Sequence, residues 1–366
     1  MIKKFDEVFV DKTRLGKKIP KEEYKKKGKY IIIDQGKDKI AGFTDNEDGI
    51  FTDVPTIIFG DHTRIIKYID KPFFLGADGV KVLKSKINNA NYKYLYYALK
   101  AAYIPNTGYN RHFKWLKKVS INYPSFEKQK RIVKLLDNLS EVKNKKNEEL
   151  KLCDTLIKAR FVELFGDPGL VHRENKVCNL ENVAEVRSSH RIFTREFTKS
   201  GVPFYRGTEI SLLANGKEPI HSYYISKARY DEITKNDSKP KIGDLLMPSI
   251  CDKGQIWLVN TSKPFYYKDG RVLCISPNRE KFNTIFFHQY MKMKSQIEYL
   301  KIGSGSTFAE FKIFQLKKLK INIPPLKLQN EFASFVQQVD KSKVAIQKSL
   351  DETQILFDSL MQKYFS

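Results

Sequence analysis

At 366 residues, 41% hydrophobic and 13% aromatic, the chain has globular composition and too much length for one ordinary core, so two domains with connectors are expected. Its 66 Lys and Arg against 42 Asp and Glu give a net charge of +24, a field that attracts polyanions, nucleic acid first among them. No run of about 18 apolar residues exists and Met1–Asp6 lacks the apolar core of a signal peptide, which argues against membrane insertion and export. Runs such as Lys25–Lys27 and Lys145-Lys146 can equally be solvated faces. The four cysteines, at 153, 178, 251 and 274, form no C-x-x-C pair. That disfavours zinc and disulfides and fits a reducing, cytoplasmic setting.

Residues 1–123 read as a globular unit of mixed character. Short β-rich runs lie at Tyr30–Ile33, Thr56–Phe59, Arg64–Tyr68 and Gly79–Leu83, and Asn91–Ala102 is more helical. The polar loop Thr107-Gly108-Tyr109-Asn110-Arg111-His112 then precedes a strand-like run, Val119–Tyr123. After Pro124, apolar residues recur three or four apart with no further Pro or Gly until Gly166. In heptad terms Leu136, Leu150 and Ile157 take a positions and Leu139 a d position. Gly166 can supply a left-handed cap and Pro168 prevents continuation.

A second globular unit fills 168–323, with strands expected at Lys241–Met247, Gln255–Val259 and Arg271–Ile275 and a helix at Thr284–Leu300. Val119–Gln129 then recurs as Leu319–Gln329 at a constant offset of 200, and no gap is needed through Phe165 and Phe365. In the second copy Val336, Leu350 and Phe357 fall at a, with Val339 and Ile346 at d. Lys143 and Lys343 occupy matching a positions, where a polar residue fixes register or leaves a bend. About 38 residues at 1.5 Å rise make each rod roughly 55–60 Å long. The globular units echo each other only locally, as in Lys71-Pro72-Phe73-Phe74 with Asp78-Gly79 against Lys263-Pro264-Phe265-Tyr266 with Asp269-Gly270.

Catalytic patterns are poor. The six histidines show no H-x-x-x-H or H-E-x-x-H spacing, so no metal site is expected. Gly303-Ser304-Gly305-Ser306-Thr307 lacks the G-K-[ST] of a phosphate-cradling loop, and is either a loop touching DNA phosphate through Ser304, Ser306 and Thr307 or a plain turn. Asn322-Ile323-Pro324-Pro325 only superficially resembles an amino-methyltransferase signature, and no Gly-x-Ser-x-Gly or catalytic Cys/His pairing stands out. Candidates for DNA contact are loop residues: Gln35 and Lys37; Asp61, His62, Thr63 and Arg64; Asn110 and Arg111. In the second unit they are Arg187, His190 and Arg191; Tyr205 and Arg206; Lys253 and Gln255. The stretch 59–64 is equally a hairpin turn in which Asp61 caps its own backbone.

The duplicated layout, the repeated Pro124/Gln129 and Pro324/Gln329, the ending Phe161–Pro168 and the segment from Asp34-Gln35-Gly36 through Phe59–Arg64 resemble the specificity subunit of type I restriction–modification enzymes, over essentially the whole chain. The resemblance implies an α+β fold with two target-recognition domains, 1–123 and 168–323. Two long antiparallel coiled-coil helices, 124–167 and 324–366, would separate them as a pseudo-two-fold internal repeat. It further implies a non-catalytic chain that reads one half of a bipartite double-stranded DNA site with each domain and docks two methyltransferase subunits and the restriction motor subunits. S-adenosylmethionine, ATP and Mg2+ would be held by those partners and no cofactor by this chain. Three other readings stay open: the specificity subunit of a fused restriction–methylation enzyme cutting on both sides of its site, a self-contained nuclease or methyltransferase, and a dimerising protein that uses its rods without DNA.

Overall fold

A computed structural model describes residues 1–76, 78–171, 176–219, 223–235, 239–302 and 309–365. The chain divides into two compact units, Met1–Glu149 with Ile346–Ser366, and Leu150–Ala345. Each therefore contains one globular segment together with parts of both long helices.

In the first unit β1 (Ile2–Lys4) and α1 (Phe5–Val8) lead into β2 (Phe9–Asp11), β3 (Tyr30–Ile33), β4 (Gly42–Thr44), β5 (Thr56–Gly60), β6 (Ile66–Ile69), β7 (Phe73–Leu75) and β8 (Val80–Ser85). Then come α2 (Tyr92–Ala101), α3 (Phe113–Leu116), β9 (Ser120–Asn122) and the start of α4 (Phe126–Phe165). One sheet has the order β2-β8-β5-β6, a second β4-β3-β7, and β1 pairs with β9. β5 is buried at every residue, as a continuous β-branched and aromatic run inside a sheet should be. Within the smaller sheet β3 and β7 run parallel, Ile32 opposite Phe74.

The second unit repeats this plan. After β10 (Lys176–Asn179) come β11 (Ala184–Arg187), β12 (Phe197–Thr198), β13 (Val202–Tyr205), α5 (Gly207–Ala214), β14 (Tyr224–Ile225) and α6 (Lys227–Ile233). β15 (Leu245–Pro248), β16 (Trp257–Leu258), β17 (Tyr266–Tyr267), β18 (Val272–Pro277), α7 (Thr284–Ile302), α8 (Ile313–Lys317) and β19 (Lys320–Ile323) precede α9 (Leu326–Phe365). The orders β11-β18-β15-β16 and β12-β14-β13-β17, with β13 and β17 parallel and β10 paired to β19, reproduce the first unit strand for strand apart from the added β12. The Lys-Pro-Phe echo in the sequence falls on the equivalent strands β7 and β17.

Several expected strands are shorter than the apolar pattern suggests. Arg64 sits at φ +61° and its N–H bonds to Gly60 O at 2.7 Å, so the run expected from 64 is still in a turn and β6 starts at Ile66. Likewise Gly243, at φ +89°, belongs to a turn closed by Asp244 N–H to Lys241 O at 2.9 Å, which delays β15 to Leu245. The run 255–259 contracts to Trp257–Leu258 because its first residues close a tight loop, with Ile256 N–H bonded to Gly254 O at 2.9 Å.

Both long helices contain 40 residues, about 60 Å of rise. Gly166 follows α4 at φ +75°, its N–H bonded to Val162 O at 2.8 Å, the left-handed cap its lack of a Cβ allows. In the first unit Ile132 and Leu136 of α4 pack with Phe357 and Met361 of α9 and with Tyr94, Leu95 and Leu99 of α2, and Leu139 is partly buried beside them. In the second, Phe332, Val336 and Val339 of α9 pack with Ile157 and Phe161 of α4 and with Phe286 and Tyr290 of α7. Leu150, Ile346 and Leu350 are half-buried.

The sequence offset relates these contacts. Lys143 Nζ donates to Gln354 in the first unit, and adding 200 to one number and subtracting it from the other gives Lys343 Nζ to Asp154 at 2.8 Å in the second. Numbers that rise on one helix as they fall on the other mean antiparallel packing in each unit. The two a-position lysines are thus satisfied from the facing helix at one register, the role such a residue has in a seam.

At the foot of each helix a buried glutamine ties the first turn to the preceding proline. Gln129 Nε2 donates to Pro124 O at 3.0 Å and Gln329 Nε2 to Pro324 O at 2.8 Å. Gln329 does more: it also donates to Lys281 O at 3.0 Å and accepts from Asn283 N at 2.9 Å, whereas Gln129 Oε1 is buried without a partner. Removing a buried partner leaves polar groups unsatisfied at about 1–3 kcal/mol. Gln329→Leu should therefore destabilise the second unit by about 2–3 kcal/mol and Gln129→Leu the first by about 1 kcal/mol or less, read as shifts in urea midpoint; equal shifts would contradict the asymmetry.

Candidate nucleic-acid interface

In the first unit the candidate loops converge at one end of the sheets. Gln35, just past β3, bonds through Nε2 to Asp78 O at 3.0 Å and accepts His62 N–H at 3.1 Å on Oε1, while its carbonyl accepts Thr63 Oγ1 at 2.6 Å. It staples the β3 exit, the β5–β6 turn and the approach to β8 together. Gly79, at φ +92°, permits this, since a Cβ there would lie 2.8 Å from Gln35 Oε1 and 2.9 Å from His62 Cδ2.

Asp61 is 4% exposed and spends its carboxylate on Phe113 N–H at 2.7 Å. It therefore fixes α3 rather than capping its own turn, and is turned inward from any ligand. His112, fully buried, donates from Nδ1 to Asp61 O at 3.0 Å, which leaves Nε2 to accept from Thr107 N–H at 3.4 Å. The long loop after α2 is thereby latched to the β5–β6 turn.

The outward side carries the chemistry. His62 stacks on Tyr109 with ring centres 4.8 Å apart and planes 12° from parallel, and Tyr109 is 89% exposed. Lys37, Thr63, Asn110 and Arg111 are also exposed. The ion pair with Lys18, joined by the field of Arg111, holds the Asp78 carboxyl below its usual range. Arg64 turns back to donate to Ile104 O at 3.1 Å.

In the second unit the equivalent strand ends are occupied differently. Arg187 is a core strut, donating to Ser276 Oγ at 2.6 Å and pairing with Glu185 at 3.1 Å and the buried Asp244 at 3.3 Å. Beside it, burial pushes the Cys274 thiol up to about 12, so it is held as an unreactive thiol. Ser188 Oγ accepts Gly270 N–H at 2.9 Å and His190 N–H bonds to Tyr266 OH at 2.8 Å, which brings 188–190 against the 266–270 loop. His190 and Arg191 are exposed, Arg191 lying 5.2 Å from the Phe193 ring. Tyr205 is buried. Arg206 lies 4.6 Å over the Tyr223 ring and pairs with Glu209 at 2.9 Å.

Lys253 is exposed and Gln255 is tied to Asp252 at 2.8 Å. Their loop is anchored on α7: Gln296 Nε2 donates to Lys253 O at 2.7 Å and His288 Nε2 to Ile256 O at 2.8 Å. Ser304, Ser306 and Thr307 lie outside the described residues.

Structure thus brings Gln35, Lys37, His62, Thr63, Asn110 and Arg111 to one surface and turns Asp61, Arg187 and Tyr205 inward. Tyr109, Lys18 and the Asp78-Gly79 corner were not among the contacts expected from sequence. The repeated Asp-Gly at 78–79 and 269–270 was the available signal, since the two pairs precede the equivalent strands β8 and β18. Exposed donors, a guanidinium and aromatic faces on stapled loops suit groove edges and phosphates. Among the described residues, no group of three or more His, Cys, Asp or Glu side chains could hold a metal ion and no helix is long and apolar enough to cross a membrane.

The type I restriction modification DNA specificity domain matches residues 1–152 and 172–354. The chain belongs to this family, that of the type I specificity subunits. It is 28% identical over 278 residues, 73% of this chain and 68% of the relative, to a Haemophilus influenzae protein named by inference as a type I restriction enzyme specificity subunit. A Methanocaldococcus jannaschii protein named by inference as the MjaX specificity subunit is 24% identical over 307 residues, 76% of this chain and 68% of the relative. Its fold is similar to that of the crystallised type I restriction–modification S subunit of M. genitalium, with TM-score 0.58, 18% identity, and 100% of this chain and 96% of that one covered. A chain from a structure described as the basis of complex assembly and conformational transition of the type I system gives TM-score 0.55 at 17% identity, covering 100% and 97%.

The anchor of the 251–256 loop carries a pH dependence. Burial, aided by the charge of Lys292, pushes His288 down to about 4. The unfolded chain takes up this proton near pH 6.5 and the folded one only near pH 4, so stability is full above about pH 6.5 and falls as pH drops toward 4. Urea titrations of the second unit at pH 7 and pH 5 should show a loss of up to about 1 kcal/mol per pH unit in that window, and His288→Gln should flatten it; an unchanged slope in the variant would refute the assignment.

Proposed function

We propose that this chain is the DNA-reading subunit of a type I restriction–modification enzyme, in which segments 1–123 and 168–323 each read one half of a split, asymmetric double-stranded site. One topology built twice, with unlike side chains on the equivalent loops, carries this reading: a common scaffold with different surfaces suits two different half-sites. The net charge of +24 suits phosphate contacts that set salt-dependent affinity, while the stapled loops supply sequence preference. Lys37, His62, Thr63, Asn110 and Arg111 are the proposed contacts of the first segment, and His190, Arg191, Arg206, Lys253 and Gln255 those of the second, with Ser304, Ser306 and Thr307 assigned on sequence alone.

The long helices, on this reading, act as a spacer of fixed length and as the seat for two methyltransferase subunits and the restriction motor subunits. Two modest half-site affinities combine into one strong affinity only when the separation on the DNA fits the spacer. The chain itself does no chemistry; S-adenosylmethionine, ATP and Mg2+ belong to the partners, all working in the cytoplasm.

Two constructions test this with methylation-sensitive sequencing of the reconstituted complex. Deleting 143–149 together with the facing 348–354 shortens the rods by about 10 Å, so the gap between half-sites should shrink by about three base pairs while both half-sites persist; altered half-sites would contradict the spacer role. Replacing 1–123 by the same segment of another such subunit should change one half-site only, and a change in both would end the modular reading.

A further inference from the structure

Tyr109 is a large aromatic residue in the loop after α2, 89% exposed. Exposed loops ordinarily carry small polar residues, and a lone exposed tyrosine needs no explanation if its ring is free to move. This ring is not. It lies face to face with His62 at 4.8 Å and 12°, and each partner is itself fixed. The His62 backbone N–H bonds to Gln35 Oε1 at 3.1 Å, and its ring has the Cδ2 edge close against Gly79 and Nδ1 buried. The Tyr109 loop is pinned on its two sides, by Thr107 to His112 Nε2 at 3.4 Å and by His112 N–H to Asp61 O at 2.8 Å.

The result is a preassembled two-ring stack whose outer face meets solvent. Nearby lie the exposed Arg111 and Thr63 and the Lys18–Asp78 ion pair, donors suited to phosphate oxygens beside a groove. Base edges in the major groove offer hydrogen-bonding atoms and one apolar feature, the 5-methyl group of thymine. A rigid aromatic face adds no hydrogen bond but buries a methyl group well, at no cost in side-chain freedom because the stack already exists.

Resting on the reading that segment 1–123 binds one half-site, we propose that Tyr109, positioned by His62, is a specificity-determining contact of that segment and selects thymine over cytosine at one position through the 5-methyl group. For this methyl group Tyr109 is the contact residue, and His62, itself one of the proposed DNA contacts, positions the Tyr109 ring.

The test uses the full chain assembled with its methyltransferase subunits. The recognised sequence is first read out by methylation-sensitive sequencing, then duplexes carrying deoxyuridine in place of each thymidine of the first half-site are compared in binding. One replacement should weaken binding by the wild-type complex about four-fold, the worth of burying one methyl group. Tyr109→Ala should bind the thymine and uracil duplexes alike and accept cytosine there, Tyr109→Phe should keep the wild-type discrimination, and the second half-site should be read as before in all three. A recognised half-site with no methyl-sensitive position, or discrimination surviving in Tyr109→Ala, overturns the inference while leaving the bipartite reading intact. If no split motif appears at all, it is the bipartite reading that fails.

Discussion

The antiparallel contact between the two 40-residue helices is the constraint on which the rest depends. In each unit the seam is more than helix against helix. Leu136 and Phe357 share a core with Tyr94 and Leu99, and Val336 and Ile157 share one with Phe286 and Tyr290. Each globular segment is therefore packed onto both helices at once. A helix of this length would gain little from its own propensity; the apolar stripe closed by a partner and a globule makes it stable. Leu150, Ile346 and Leu350, which belong to neither of these clusters, are only half-buried.

Rigidity passes from this base to the loops. The strands that end at Ile33 and Gly60 and the one that starts after Gly79 are fixed by burial, and their ends are joined by Gln35, Asp61 and His112 through bonds of 2.6 to 3.1 Å. Polar residues that look like reading groups in sequence are thus used inward to hold the ones that face outward. Arg187 does the same in the second unit, tied to Asp244 and Ser276. Exposed residues on a stapled frame lose little freedom on binding, which is how a loop can discriminate rather than merely adhere.

Much of the architecture was legible because it is repeated. A constant offset of 200 placed both helices, their prolines and glutamines and the matching lysines, and the structure carries that offset down to the Lys143–Gln354 and Lys343–Asp154 pairs. The globular segments were legible as mixed α and β, but strand ends were overrun at Arg64 and Lys241, where a left-handed residue or a glycine turn interrupts an apolar run. Site residues were least legible. Asp61 and Arg187 have the chemistry of base readers, yet burial among backbone donors and carboxylates assigns them to the frame. Tyr109 sat inside a loop already marked as a candidate, but its stack with His62 joins positions 47 residues apart, and no local pattern encodes such a pair.

The central claim is that one chain with two unlike globular segments on paired helices reads a split DNA sequence. Methylation-sensitive sequencing of genomic DNA exposed to the chain reconstituted with its methyltransferase subunits tests it most directly. The account requires an asymmetric motif in two parts at one fixed separation, with methylation dependent on this chain. A continuous motif, a variable separation, or the same methylation without the chain would contradict it.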